Sequence, residues 1–237
     1  MIDRELLREA AAEQGIALTA RQLEQFDIYA EMLVERNKSV NLTAITAPED
    51  IVYKHFADSL SLLAAHDIAE SAALIDVGSG AGFPGLPLAI ARPNLRVLLL
   101  DSLQKRVVFL AEAAAALGLD NLSAVHERAE TAAHQSRLRE QFDYAAARAV
   151  APLPVLCELC LPFVREGGFF LPQKGGGTPA ELEQAAPAAR ILGGEILEVR
   201  PINLPAAELH TVSIIKKVRQ TPPEYPRKPA KIAKRPL

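Results

Sequence analysis

A short apolar run, Leu74-Ile75-Asp76-Val77, leads straight into Gly78-Ser79-Gly80-Ala81-Gly82, and Pro84 opens an apolar stretch behind it. A strand that turns through alternating glycines into a helix carries its backbone close to a nucleotide-type ligand. A Cβ at those positions would collide with the ligand or demand unfavourable φ values. The chain is therefore expected to be an α/β protein, with a ligand at the carboxyl ends of its strands where the strand order switches direction. The downstream texture agrees. Residues 84–91 read as a helix and 96–100 as a second strand ending at Asp101. Ser102 is placed to cap a helix over 103–117 that Gly118 closes. Strands follow at 122–126 and 144–147, then a helix at 153–164 and a fifth strand at 169–172 after Gly167-Gly168. Residues 195–199 and 211–215 read as an antiparallel pair finishing a seven-stranded, mostly parallel Rossmann-like sheet.

Three details bear on the ligand. The spacing of Gly78, Gly80 and Gly82 puts Phe83 where a dinucleotide fingerprint needs glycine, although Gly85 lies nearby. Asp76 ends the first strand, where a carboxylate repels a pyrophosphate but suits an ammonium and a sulfonium. Asp101 lies 25 residues further on, where an acid can accept both ribose hydroxyls, an arrangement that serves either cofactor class. Together they favour S-adenosylmethionine over a nicotinamide dinucleotide.

Ahead of the sheet, residues 1–70 read as a helical unit. Thr19-Ala20-Arg21-Gln22 has the capping-box form, and Leu23, Phe26, Ala30, Leu33 and Val34 follow at helical spacing. A second box, Thr46-Ala47-Pro48-Glu49, precedes Val52, Phe56, Leu60 and Leu63. Residues 36–43 read as a polar loop carrying Arg36 and Lys38. Behind the helical unit the catalytic domain is expected over 71–218 and a basic, proline-rich tail over 219–237. The net charge of -3 hides an asymmetry: 8 basic residues against Glu224 alone from Lys216 onward. An acidic body of about -10 thus carries an end of about +7, which is either solvated or contacts polyanions. The prolines of residues 221–229 forbid helix or interior strand there. No apolar run reaches membrane-span length and no secretory signal opens the chain, so a cytoplasmic protein is expected. Two cysteines make no disulfide framework, which suits a reducing compartment.

The motifs also carry a resemblance. Residues 37–45 (Asn-Lys-Ser-Val-Asn-Leu-Thr-Ala-Ile), His55-Phe56-Ala57-Asp58-Ser59-Leu60 and the run from Asp76 through Gly82-Phe83-Pro84-Gly85 belong to it. So do Asp101-Ser102 with Lys105-Arg106, Arg128-Ala129-Glu130, Arg148-Ala149-Val150-Ala151, Lys174-Gly175 and Tyr225-Pro226-Arg227-Lys228. Nearly end to end, the chain resembles the RsmG (GidB) family, bacterial methyltransferases acting on N7 of one guanine in 16S ribosomal RNA. The resemblance implies a class I S-adenosylmethionine-dependent fold. It implies that Gly78 and Phe83 line the cofactor pocket, that Asp101 holds the ribose, and that Ala129 and Glu130 flank the adenine. Arg148 is then the catalytic candidate, facing both cofactor and base. The structural alternative for Arg148 is a salt bridge to Asp143 or another acid nearby. Arg36, Lys38, Lys174, Arg227 and Lys228 are the candidate RNA contacts. The implied partner is 16S ribosomal RNA or the small ribosomal subunit, met by a monomer without a membrane.

Other features point to packing. Cys157 and Cys160 have a zinc or redox spacing but lie in an apolar stretch with no second Cys/His pair, so no metal is expected. His126 and His134 read as residues without a ligand role. His55 and Asp58, one turn apart, are placed to brace the helical unit against the sheet. Lys174 precedes its glycines, the wrong order for a phosphate loop.

Overall fold

The structure, a computed structural model, describes residues 1–148, 151–175, 179–205 and 210–237. Ala149 and Val150, quoted above in the motifs, the glycines Gly176 and Gly177 that follow Lys174-Gly175, and much of the alanine-rich stretch after Asn203 lie outside the described residues. The elements run α1 (Arg4–Ala12), α2 (Ala20–Val40), α3 (Pro48–Asp50), a π-helical segment (Ile51–Ala57), α4 (Asp58–Ala65), β1 (Ala73–Val77), α5 (Gly85–Ala91), β2 (Arg96–Asp101), α6 (Gln104–Leu117) and β3 (Leu122–His126). They continue with α7 (Ala129–Ala132), β4 (Phe142–Arg148), α8 (Leu153–Cys160), a 3-10 turn (Leu161–Phe163), β5 (Val164–Gly175), α9 (Pro179–Ile191), β6 (Gly194–Ile202), β7 (His210–Lys217) and α10 (Pro229–Lys234).

One seven-stranded sheet orders them β3-β2-β1-β4-β5-β7-β6. The first five strands pair in parallel, and β7 lies antiparallel between β5 and β6. Chain order reverses direction at β1, which is flanked by β2 and β4, so the crevice for a ligand opens above β1 and β4. Leu74 and Asp76 point to one face and Ile75 and Val77 to the other, the alternation of a strand covered on both sides. Leu74 joins a core with α1, α2, α4, α5 and α6, whereas Ile75 and Val77 join one with α8, α9, Tyr225 and Leu237. The N-terminal helices and the C-terminal tail therefore occupy opposite faces.

Local expectations fared unevenly. The Thr19/Gln22 capping box is formed, and Gly118 closes α6 in the left-handed region at φ 62°. The polar loop begins later than expected, because α2 runs on to Val40 and stops only where Asn41 turns left-handed. Asn37 secures that stop: its Oδ1 accepts from the Leu42 and Thr43 amides at 2.6 and 2.9 Å. The second box does not form, since Ala47 takes the cap position and gives no side-chain bond. Ser102 does not cap α6 either. Asp101 Oδ1 accepts from the Leu103 amide at 2.8 Å instead.

Two buried glutamines dock α2 against the sheet's helices. Gln22 Nε2 donates to the carbonyls of Ile90 and Ala91, and Gln25 Nε2 to that of Leu117. These are carbonyls at helix ends, the groups a helix cannot satisfy itself.

Candidate active site

The glycine loop leaves β1 with Gly78, Gly80 and Gly82 at φ 76°, 60° and 108°. Their reasons for being glycine differ. A Cβ on Gly80 would meet nothing nearer than the Gly78 carbonyl at 3.9 Å, so within the protein only its backbone angle disfavours a side chain. A Cβ on Gly82 would strike Tyr29 Oη at 2.8 Å and Leu110 at 3.0 Å. Gly82 is thus required by packing behind the loop, whereas the sequence pattern gave it to a ligand in front. Tyr29 also donates to the Ala81 carbonyl at 2.6 Å, fixing the loop from the N-terminal unit.

Two acids frame the loop. Asp101, almost wholly buried, accepts from the Gly80 amide at 2.9 Å and from Arg106 Nη1 at 3.4 Å through Oδ2. It ties the end of β2 to the loop and keeps lone pairs on both oxygens for further donors. Asp76 is fully buried. Its Oδ2 accepts from the Gly85 amide at 2.9 Å, and its Oδ1 has no partner among the described residues. Burial pushes its carboxyl up to about 7, against the bond from Gly85 and the charge of Arg148. A leftover buried acceptor that gains most from a nearby positive charge fits a cationic ligand. Across the crevice, Ala129 and Glu130 open α7, both partly buried, and Glu130 pairs with Arg128 at 3.3 Å. Leu103, exposed directly beyond Asp101, adds an apolar surface that sequence reasoning passed over.

Arg148 ends β4, with three of its five N–H groups engaged inside the protein. Its Nη1 donates to the Lys54 carbonyl and to Asp58 Oδ2, both at 3.0 Å, and its Nη2 points to His55 Nδ1 at 3.1 Å. Its guanidinium lies 4.7 Å from the centre of the Phe83 ring. The acid partner is Asp58, because Asp143 pairs with Arg165 instead. Phe83 is almost buried and stacks on His55 at 4.3 Å, so it serves as the floor under Arg148 more than as a wall of an open pocket. Burial, then the charge of Arg148, pushes His55 down to about 3. Lys54 and His55 belong to the π-helical segment, a winding frequent at functional sites.

The sheet register lines up the rest. Arg148 pairs with Gln173, and Gly175 with His210. Gln173 Nε2 donates to the Asp58 carbonyl at 2.6 Å, and His210 Nδ1 lies 2.8 Å from Asp58 Oδ1. Asp58 therefore meets β4, β5 and β7 at once, which is the brace expected of it.

The five candidate RNA contacts do not form one free surface. Arg36 pairs with Glu112, Lys38 with Glu35, Lys174 with Glu181, and Arg227 with the fully buried Glu158 at 2.6 Å. Lys228 has no ion pair among the described residues. The tail is anchored at a few points and keeps the cations Lys228, Lys231, Lys234 and Arg235 exposed, and it is not wholly irregular. Arg139 donates to the carbonyls of Thr221, Pro222 and Tyr225, and α10 follows. Lys217, counted above with the basic end, is buried on Glu140 at 3.0 Å, and burial pushes it down to about 8.

Residues 22–209 match the family described as rRNA small subunit methyltransferase G. The chain is 49% identical over 224 residues to the ribosomal RNA small subunit methyltransferase G of Lachnoclostridium phytofermentans, covering 94% of this chain and 93% of that protein. The chain belongs to the rRNA small subunit methyltransferase G family. That family is one of ribosomal RNA methyltransferases, and its fold agrees with solved structures. A 16S rRNA (adenine(1408)-N(1))-methyltransferase from Catenulisporales acidiphilia superposes with a TM-score of 0.55 at 20% identity, over 69% of this chain and 95% of its own. M. jannaschii TYW2 in complex with AdoMet superposes with a TM-score of 0.52 at 17% identity, over 65% of this chain and 73% of its own. The fold is that of class I methyltransferases.

Proposed function

We propose that this member of the rRNA small subunit methyltransferase G family transfers a methyl group from S-adenosylmethionine to N7 of a guanine in 16S ribosomal RNA. The observation that carries the reading is the state of the groups around Arg148. His55 is held neutral and accepts from Arg148, while Asp58 is spent on Arg148 and His210. Neither is free to take a proton from a substrate. Guanine N7 has a lone pair and no proton at neutral pH, so methylation there needs no general base.

When bound, S-adenosylmethionine supplies a methyl carbon on a cationic sulfur, which the N7 lone pair takes up while the carbon–sulfur pair stays on sulfur. Asp76, Gly78, Gly80 and Asp101 would hold this cofactor, with Gly82 and Phe83 supporting the loop and Ala129 and Glu130 flanking the adenine. The remaining work of the chain is orientation, which can lower a barrier by roughly 7–11 kcal/mol. Arg148 orients the incoming base through a hydrogen bond to O6 or a phosphate, or by stacking. Lys228 and the exposed cations of the tail, with Arg36, Lys38 and Lys174 contributing where their pairs open, meet the phosphates. The protein acts as a cytoplasmic monomer on 16S RNA or the small subunit.

Mapping methylated nucleotides in 16S RNA from cells with and without the protein tests the reaction. One 7-methylguanine that disappears with the protein is expected; a lost mark on another atom or another RNA overturns the assignment. Arg148→Ala is expected to abolish transfer while cofactor affinity, read by calorimetry, falls less. Full activity in that variant removes Arg148 from the mechanism.

A further inference from the structure

Resting on that reading of Arg148, we propose that Asp58 and His55 are positioning residues for the methyl transfer, which fix the plane in which Arg148 offers its remaining donors to the substrate base. A guanidinium carries five N–H groups. Three are used inside the protein, on the Lys54 carbonyl, Asp58 Oδ2 and His55 Nδ1. The Nε–H and one Nη2–H have no partner among the described residues. With one face on Phe83 and three donors engaged, the group cannot rotate without breaking bonds.

The holders are themselves held. Arg148 can only donate, so His55 Nδ1 must be unprotonated to receive it, and the ring proton lies on Nε2, which donates to Thr43 Oγ1 at 2.8 Å. The same argument rules out donation from Nδ1 to the Lys54 carbonyl, 3.2 Å away. Asp58 is fully buried, with Oδ1 on His210 and its carbonyl on Gln173. The orientation of Arg148 is thus dictated by a helical unit that precedes the catalytic sheet.

A double-mutant cycle on the full chain, with 30S subunits and S-adenosylmethionine at saturation, separates positioning from simple bracing. Asp58→Asn keeps the side chain's shape and is expected to slow single-turnover transfer on the order of 10²-fold, the loss expected for about an ångström of misplacement, with cofactor Kd and KM changed little. In an Arg148→Gln background the same substitution is expected to cost nothing further. An equal loss in both backgrounds, or a full rate for Asp58→Asn alone, overturns the proposal. If Asp58→Asn does not fold, His55 carries the test. His55→Asn keeps an acceptor near the place of Nδ1 and His55→Ala removes it, so the second should be slower by about tenfold, one lost hydrogen bond; equal rates overturn the proposal. Arg148→Gln at full rate sinks the underlying reading of Arg148, whereas a slow Arg148→Gln beside a fast Asp58→Asn sinks only this one.

Discussion

The N-terminal helical unit and the C-terminal tail flank the sheet on opposite faces, and each is anchored by a buried arginine–carboxylate pair. On one face Asp58 of the appended unit grips Arg148 of the sheet; on the other, Arg227 of the tail grips Glu158 of α8. The devices are chemically alike, and their surroundings differ. Arg148 has donors to spare and a crevice in front of it, whereas Arg227 gives its backbone N–H, Nε and Nη2 to one carboxylate. The same kind of ion pair thus serves orientation in one place and attachment in the other, and what decides is the set of donors left over.

The largest effect that can break this comparison is on stability. Glu158→Ala leaves Arg227 without its partner and should cost about 3–5 kcal/mol in denaturant unfolding, the usual loss when a buried pair is broken from one side. The transfer rate of the folded enzyme at saturating RNA should stay unchanged; a rate that falls as steeply as in Arg148→Ala would erase the distinction between the two faces.

A pH titration sharpens it next. Asp76 is raised to about 7 in the folded chain, so acidification from pH 7 towards 4 protonates the native state first and stabilises it. His55 is lowered to about 3, so below pH 6.5 the unfolded chain takes the proton and the native state loses stability. Between pH 6.5 and 4 the two trends oppose. Asp76→Asn removes the first, and the variant should then lose on the order of 3 kcal/mol across that window, since a tenfold difference in proton affinity between the folded and unfolded chain is worth about 1.4 kcal/mol. A profile that the substitution leaves unchanged would mean that Asp76 is not buried as the structure has it, and a variant that stays flat across the window would mean the same of His55.

Two smaller effects complete the set. Tyr29→Phe strands the Ala81 carbonyl, which should cost about 1–3 kcal/mol and weaken cofactor binding in calorimetry, tying the helical unit to the loop as well as to Arg148. Lys228→Gln should leave the rate alone at saturation and lower the slope of log affinity against log salt by about 0.7–0.9, one phosphate contact. A slope that does not move would take Lys228 off the RNA surface.

The positions of the strands along the chain, the glycine loop and its two acids were legible because each depends on local pattern: apolar runs, glycines, an acid at a strand end. Tyr29 was legible in principle, three residues after Phe26 on the same stripe, but nothing local says that its hydroxyl reaches Ala81. The pairing of Arg148 with Asp58 rests on residues 90 positions apart, so sequence offered only the His55/Asp58 spacing and a nearer rival, Asp143. Capping at Ser102 and Thr46 misled for a physical reason, since Asp101 supplies the bond to Leu103 and Pro48 starts α3 without a side-chain cap. Helix α9 is hard to read because Pro187 lies inside it and its buried stripe is mostly alanine. The free charge of the tail was overcounted because composition cannot tell a solvated lysine from Lys217.

Asp58 reaches partners 90, 115 and 152 positions further along the chain. During synthesis the helical unit emerges first, yet its aspartate waits for three strands, the last of them β7, before all its bonds can close. The geometry around Arg148 is consequently completed only once β7 has been made, and a chain that has not yet reached β7 carries the glycine turn without the finished site.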